Sequence, residues 1–467
     1  MEDLLATLSA ALGPDRVRTD EAARHAHRFD RWSVNHLRDY RGDKLPLCAA
    51  VVRPASTADV QTIVRNCAAR ATPIIPFGLG SGVCGGVVGN PAAILLDMSS
   101  MSAVRSIDEV NLLAEFDAGL NGLEAEQAVA ALGLTIGHWP QSIGISSVGG
   151  WVSTRASGQF STAYGNIEDI IYSIEAVLPN GDLVRLGCAP RAAAGPDLRH
   201  LLMGAEGTMG IVTGATYSLR RAPEKREYAA YYAADMDAGF AAQREIVQSG
   251  WLPPVMRQYD AVEVKRNFRA HARDDQAMLL LVHEGPASRV NAETAGAAAI
   301  CTEAGLHPAD PAVVGEWMQQ RNHVPEWRDL IERGLMVDTV EISGTWRQIG
   351  DIYRAAIKEL QGMEGCVNAS AHSSHVYRSG INLYFSFAAL LDNTVKMEAA
   401  YFDGWDRIMR ATAANGGGIA HHHGAGRLRK PYLHHDLGEN GVALLRRLKN
   451  AMDPLGIMNP GNLIPDA

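Results

Sequence analysis

The apolar and polar positions of this chain come in short blocks whose period changes along its length. Residues 49–52 form a brief apolar run that predicts a strand, and Ser56 then opens a helix carrying Val60, Ile63, Val64 and Cys67 on one face. Residues 73–77 predict the next strand, a glycine-rich stretch follows, and residues 93–96 predict another strand running into Asp97. Residues 112–116 predict a further strand and residues 123–132 a helix that Gly133 stops. This alternation of strand and helix points to α/β packing in the first part of the chain. Near the start, Leu4, Leu5, Leu8 and Leu12 form the stripe of a short amphipathic helix behind Glu2 and Asp3.

The pattern then turns β-rich. Residues 144–158 are rich in Gly and Ser with little helical period, and residues 170–178 and 183–186 flank the hairpin signal Pro179-Asn180-Gly181-Asp182. Beyond Pro223 come helices such as 235–248 and strands such as 278–282, which predict a second α+β domain ending near Gly416. Residues 445–463 join a basic helix to Pro454, Gly456, Pro460 and Gly461, a tail expected to pack back on the first domain. No repeat of fixed period is visible. The expected division is 1–222, 223–416 and 417–467.

A length of 467 residues exceeds what one compact core organises, in agreement with that division. With 43 basic against 52 acidic residues and a net charge of -9, the chain lacks the basic surplus that neutralises phosphates, so no nucleic-acid partner is expected. Cys48, Cys67, Cys84, Cys188, Cys301 and Cys366 stand singly, without a C-x-x-C pair, which suits reduced thiols and a cytoplasmic setting. No apolar run reaches transmembrane length, the first residues do not read as a signal peptide, and the tail Ile464-Pro-Asp-Ala467 lacks a Ser-Lys-Leu type of peroxisomal address.

Candidate chemistry begins with the run Pro76-Phe-Gly-Leu-Gly-Ser-Gly-Val-Cys-Gly-Gly86, which contains a formal G-x-G-x-x-G match at Gly80, Gly82 and Gly85. A Rossmann turn must open a helix, and Gly86, Gly89 and Asn90-Pro91 argue against one here. The loop still offers successive backbone N–H groups that can converge on anionic oxygens without a helix dipole. Two further glycine-serine loops, residues 140–150 and 204–210, imply with it a groove for a long anion, and a dinucleotide is the economical ligand.

Together these segments resemble the FAD-binding domain of the vanillyl-alcohol oxidase and p-cresol methylhydroxylase superfamily. Arg53-Pro-Ala-Ser-Thr-Ala-Asp-Val60 looks like its entry strand and helix, and residues 454–461 like its C-terminal tail. Within it, Gly149-Gly-Trp-Val-Ser-Thr-Arg-Ala-Ser-Gly158, Tyr164-Gly-Asn-Ile-Glu-Asp169 and His421-His-His-Gly-Ala-Gly-Arg-Leu-Arg-Lys430 are similar to the alkylglycerone phosphate synthases. The resemblance implies an α+β fold: a two-subdomain FAD-binding domain and an α+β substrate domain with an antiparallel sheet. It places Pro76, Gly78, Gly80, Ser81, Gly82 and Val83 at the flavin pyrophosphate, Ser142, Ser147, Gly150, Ser153 and Thr154 along the flavin, and Glu206 and Ile211 near the adenine. With no His in the pyrophosphate loop, FAD is expected to be non-covalent, Cys84 being the residue able to upset this.

Flavin chemistry on a hydroxyl-bearing carbon needs a base for the O–H proton and a cation for an anionic substrate. His421, His422 and His423 lie between Gly416-Gly-Gly-Ile and Gly424-Ala-Gly; if the run is extended, His421 and His423 point one way and His422 the other. By resemblance Tyr384 is an acid/base, read as a phenol of lowered pKa, and Arg328 holds the substrate's anionic end, a role Arg321 can take instead. His372, in the expected strand 371–377, stands where animal synthases have an arginine; a metal on His372 and one triplet histidine is weighed, but no metal is assigned. The expected activity is oxidation of a CH–OH donor, a small D-2-hydroxy acid or related anionic alcohol, by hydride transfer to flavin N5. The alternative is redox-neutral exchange of an acyl for an alkyl chain through a flavin N5 adduct. An unidentified electron acceptor and a homodimer complete the expected partners.

Overall fold

The computed structural model describes residues 1–465; the last two positions, on which the expectation about a peroxisomal address rests, lie outside them. The first part folds as two subdomains. In one, the strands Ala50–Val52, Ile94–Asp97 and Ile74–Phe77 run parallel, with Val17–Arg18 antiparallel at the edge. Ser56 accepts a hydrogen bond from the Asp59 N–H and so starts the helix Thr57–Ala68, which buries Val60, Ile63, Val64 and Cys67; Glu2–Leu12 buries Leu4 and Leu8. The other subdomain is a five-stranded antiparallel sheet centred on Ile211–Ser218, and the turn at 179–182 joins Ile171–Val177 to Leu183–Leu186 as a hairpin.

Residues 144–158 depart from their sequence pattern, since they hold the helix Val148–Thr154, capped by the Ser147 hydroxyl on the Gly150 N–H. Its glycines serve close packing: a Cβ at Gly149 would sit 2.6 Å from Ala118 Cβ and 2.8 Å from the Ala118 carbonyl oxygen. No helix follows the glycine loop, which runs from Ile74–Phe77 to Ile94–Asp97 through turns and bends only.

The second part is a seven-stranded antiparallel sheet in the order His307–Ala309, Lys225–Ala233, Ala277–Gly285, Val255–Tyr259, Cys366–Ser373, Gly380–Leu390, Leu335–Thr345. Its two halves share the order strand, helix, strand, strand, helix, the first with the short helix Ala261–Asn267 inserted between its last two strands, and meet where Val255–Tyr259 pairs with Cys366–Ser373. The duplication is one of elements, with unequal loops, so it leaves no fixed period in the sequence. The helices Met236–Gln248, Ala287–Glu303, Ile349–Gln361 and Thr394–Ala414 pack on the sheet around one shared core. After the helix Leu433–Met452 the tail returns to the first subdomain, where the Ile74 N–H donates to Ile457 O (2.8 Å) and the Asn459 N–H to Ile74 O (2.9 Å). Among the described residues no helix is long and apolar enough to cross a membrane.

Overpacking a tight contact costs about 1–3 kcal/mol. Gly149→Ala is therefore expected to lower the thermal unfolding midpoint by several degrees, read by calorimetry; an unchanged midpoint would show that the helix Val148–Thr154 has room to shift.

Candidate active site

One cavity of about 780 Å³ runs between the two parts, and every residue that the resemblance assigns to flavin, from Pro76 to Ile211, lines it. The chemistry of its glycine-loop wall suits a dinucleotide. Among the described residues the N–H groups of Leu79, Gly80, Ser81, Gly82 and Val83 donate to no protein acceptor, so they remain free to meet anionic oxygens. Gly80 has a φ of +71°, and Gly85, at +73°, lies so close to Trp32 that a Cβ would meet its ring at 2.6 Å. Asp30 lies beneath the loop, accepting from the Trp32 and Val87 N–H groups; burial, aided by the charge of Glu206, pushes it up to about 7. Glu206 itself accepts from the N–H groups of Ala425 and Gly426 and so anchors the segment that follows the histidine triplet.

The reactive end is built by strand register. Tyr259 pairs with His372, His372 with Tyr384, and Tyr384 with Glu341, so four neighbouring strands place these side chains in one row on one face of the sheet. His372 stacks on Tyr384 (4.9 Å between ring centres) and gives its Nδ1–H to Glu263 (2.8 Å). Burial works against the Glu263 charge, but His372 and Arg266 prevail and hold it at about 2.

The triplet lies in bends, so the alternation that an extended run would impose does not apply. The buried Glu341 carboxylate fixes it by accepting from the His423 N–H (3.0 Å) and from His423 Nδ1 (2.8 Å). A carboxylate only accepts, so His423 carries a proton on Nδ1 and turns its Nε2 toward the Tyr384 hydroxyl at 3.3 Å. His422 Nε2 meets the same hydroxyl from the other side, and His421 Nδ1 lies 2.7 Å from His422 Nδ1. All three histidines thus join one cluster.

Three further expectations change. Burial, then the charge of Glu341, raises the Tyr384 phenol above the ordinary tyrosine range, so it is a neutral O–H and not the acidic phenol inferred from the resemblance. Arg328 lies outside the cavity with its side chain 75% exposed and paired with Glu332 one helical turn on, because its helix Trp327–Glu332 turns Trp327 and Leu330 inward instead. The strand expected over 371–377 stops at Ser373: the N–H groups of Ser374 and His375 both donate to Asn382 Oδ1, and the chain bends so that His375 lines the cavity beside His372.

Among the described residues Arg31, Arg257, Arg266 and Arg321 line the cavity. Arg321 stacks over Trp139 and Phe160, donates to Gln159, and is pulled down to about 10 by burial and by Arg226. Arg257, absent from the sequence reading, sits on the strand Val255–Tyr259 against Trp317 (5.2 Å) and gives its Nε–H to the Tyr259 hydroxyl (2.9 Å). Among the described residues no carboxylate lies within ion-pair distance of Arg257, whose charge is felt at Tyr384. A basic residue in an apolar central strand was the available signal.

Residues 48–187 match the FAD binding domain model, and residues 222–463 match the model for FAD linked oxidases, C-terminal domain. The chain belongs to the FAD-linked oxidase family. It is 34% identical over 478 residues to an uncharacterized FAD-linked oxidoreductase, YgcU, of Escherichia coli (strain K12), covering 98% of this chain and 97% of that one. It is 27% identical over 431 residues to glycolate oxidase subunit GlcD of Bacillus subtilis (strain 168), covering 89% of this chain and 88% of that one. A solved alkyldihydroxyacetonephosphate synthase superposes with a TM-score of 0.83 at 25% identity, over 98% of this chain and 86% of that one. The chain is thus an FAD-dependent oxidoreductase of α+β fold, with an FAD-binding domain of the kind expected.

Asp30 is uncharged below pH of about 7 and ionised above it, beside the loop fitted to a pyrophosphate. FAD affinity is therefore expected to fall as pH rises through 7 and beyond, with Asp30→Asn flattening the profile; equal pH dependence in both proteins, measured by flavin fluorescence, would assign the effect to Glu206 or elsewhere.

Proposed function

We propose that this chain oxidises a small anionic alcohol, a D-2-hydroxy acid or close analogue, and that the Tyr384 hydroxyl held between His422 and His423 receives the substrate's hydroxyl proton. When bound, FAD supplies the hydride acceptor for the CH–OH carbon. The reading rests on one observation: Tyr384 and His423, backed by the buried Glu341, line the same cavity as Arg257, a buried guanidinium with no carboxylate partner among the described residues.

Arg257 binds the substrate's carboxylate, with Trp317 and Tyr259 holding the guanidinium in place. Tyr384 is too basic to wait as a phenolate, so it acts as a relay, taking the substrate proton as its own passes to His423 Nε2. Glu341 keeps His423 in the tautomer that can receive it and stabilises the imidazolium that results. The electrons leave to an acceptor outside the chain. FAD is held without a covalent bond: Cys84, the residue placed to form one, turns its sulfur to the Arg429 guanidinium at 3.1 Å, and burial pushes its thiol well up, away from the reactive thiolate.

The likeness to the solved synthase supports a second reading, redox-neutral exchange of an acyl for an alkyl chain on a phosphorylated ketone. The polar end of the cavity, with Arg257, Arg266, Glu263 and His372, favours the small donor.

Anaerobic mixing with D-lactate, glycolate or D-2-hydroxyglutarate is expected to bleach the flavin lastingly. Release of fatty acid from acylated dihydroxyacetone phosphate without net bleaching would select the second reading. Tyr384→Phe should lower kcat by about 10²–10⁴. Arg257→Met removes a charge-assisted contact of about 1.5–3 kcal/mol and should lower kcat/KM roughly tenfold to a hundredfold for anionic donors while sparing neutral alcohols. Acid precipitation should leave all flavin in the supernatant; flavin in the pellet would put Cys84 in a covalent bond.

A further inference from the structure

We propose that the donor is a polyhydroxy acid of the sugar-acid class, its tail hydroxyls bound by Thr339, Ser386 and His372 on the cavity face of the large sheet. The inference rests on the oxidation of a 2-hydroxy acid proposed above and names what the tail of that acid carries.

Strand register lays out the wall that such a tail meets. In Leu335–Thr345, Met336, Val340 and Ile342 enter the core while Val337 and Thr339 line the cavity; in Gly380–Leu390, Phe385 and Phe387 enter the core while Tyr384 and Ser386 line it. Thr339 pairs with Ser386, two residues along from the pair of Glu341 with Tyr384. Arg257 precedes Tyr259 by two residues and lies on the opposite side of the row through His372 and Tyr384. The wall thus runs from a cation, past the Tyr384 phenol, to a pair of hydroxyls. Residues two apart on one face of a strand are about 6.8 Å apart. Carbon–carbon bonds of about 1.5 Å advance an extended chain roughly 1.25 Å each, so about three or four carbons beyond the reacting one bring their substituents within hydrogen-bond reach of Thr339.

The donors and acceptors of that wall say what those substituents are. The Glu263 carboxylate accepts from His372 Nδ1 at 2.8 Å, and the Ser386 hydroxyl, turned to the same carboxylate, helps to hold its charge. A proton directed there leaves the Ser386 oxygen as an acceptor. Burial lowers His372 below the ordinary histidine range, so the ring is neutral and its Nε2 is a lone pair, without a partner among the described residues. Thr339 Oγ1 has no partner among them either, and Ser374 Oγ, on the same cavity and only 1% exposed, is buried without one. Polar atoms left unmatched beneath a bound ligand weaken its binding. An alkyl tail leaves all four unmatched, and a second carboxylate has no proton to give to His372 Nε2 or to the Ser386 oxygen. Hydroxyl groups both donate and accept, and so match every one.

The test is anaerobic stopped-flow reduction of the flavin-loaded protein by donors of one configuration at C2: D-lactate, D-2-hydroxyhexanoate, D-2-hydroxyglutarate, D-gluconate, D-galactonate, D-xylonate and D-ribonate. At least one sugar acid is expected to exceed D-lactate and D-2-hydroxyhexanoate by about tenfold or more in second-order rate. Thr339→Val, which keeps the shape and removes the hydroxyl, should lower the rate for that sugar acid about twofold to tenfold and leave D-lactate unchanged. Ser374→Ala should narrow the same ratio. D-2-Hydroxyhexanoate reacting as fast as every sugar acid would overturn the proposal in favour of an alkyl tail, and D-2-hydroxyglutarate leading the series would overturn it in favour of a second anionic group. In both cases the oxidation of 2-hydroxy acids stands. Flavin left oxidised by the whole panel would remove that reaction and this inference together. Variants that lose flavin while keeping the ratio of sugar acid to D-lactate would assign both hydroxyls to the cofactor and overturn the proposal as well.

Discussion

The ion pair of Glu341 with Arg429 is the constraint on which the rest depends. Both side chains are fully buried, and the Arg429 guanidinium also donates to the carbonyls of Ile419 and Gly424, contacts Cys84 Sγ, and stacks on Trp405. One cation thereby ties the edge strand of the large sheet, the segment carrying the histidine triplet and the glycine loop to one point. Burying two ions costs several kcal/mol each, recovered only when geometry is good and the remaining donors are satisfied, and removal of one partner from such a pair costs about 3–5 kcal/mol. Burial works against the Glu341 charge, yet Arg429 and His423 hold its carboxyl well below the ordinary range. The same carboxylate that closes the structure therefore also sets the tautomer of His423.

From that point the two parts divide the work. The first supplies backbone: unpaired N–H groups, glycines where a Cβ would collide, and an Asp30 that burial keeps largely uncharged below neutral pH. The second supplies side chains from the middle of its sheet, where the duplicated halves join and the cross-strand row of Tyr259, His372 and Tyr384 faces the cavity, with Glu341 buried at its end. The tail closes on the first part: Asn459 donates to the carbonyls of Gly86 and Glu206, behind the loop that the cofactor must meet.

Much of this was legible locally. Helical spacing and the Ser56 cap specify Thr57–Ala68, alternation and the turn at 179–182 specify a hairpin, and the glycines of residues 76–86 with the two later loops specify a groove for a dinucleotide. Those features depend on φ/ψ preference and on side chains a few residues apart, which the order of amino acids states directly. Where local signals conflict, the reading fails: Gly149 and Gly150 conceal a short helix, because tight packing on Ala118 asks for the same residue as flexibility does.

What the sequence by itself determined is the family, the flavin and the neighbourhood of Tyr384 and the triplet. Only the tertiary structure decided which groups meet. Arg257 lines the cavity and Arg328 does not, because a strand within the sheet turns the first inward while a surface helix turns the second to Glu332. His375 joins His421 and His422 because Asn382 bends the chain after Ser373. Glu341 lies 82 residues from His423 in sequence and in hydrogen-bond contact with it in space. Pairings of that range are set by strand register and by the need to partner buried charge, and neither quantity is written in any local stretch of the chain.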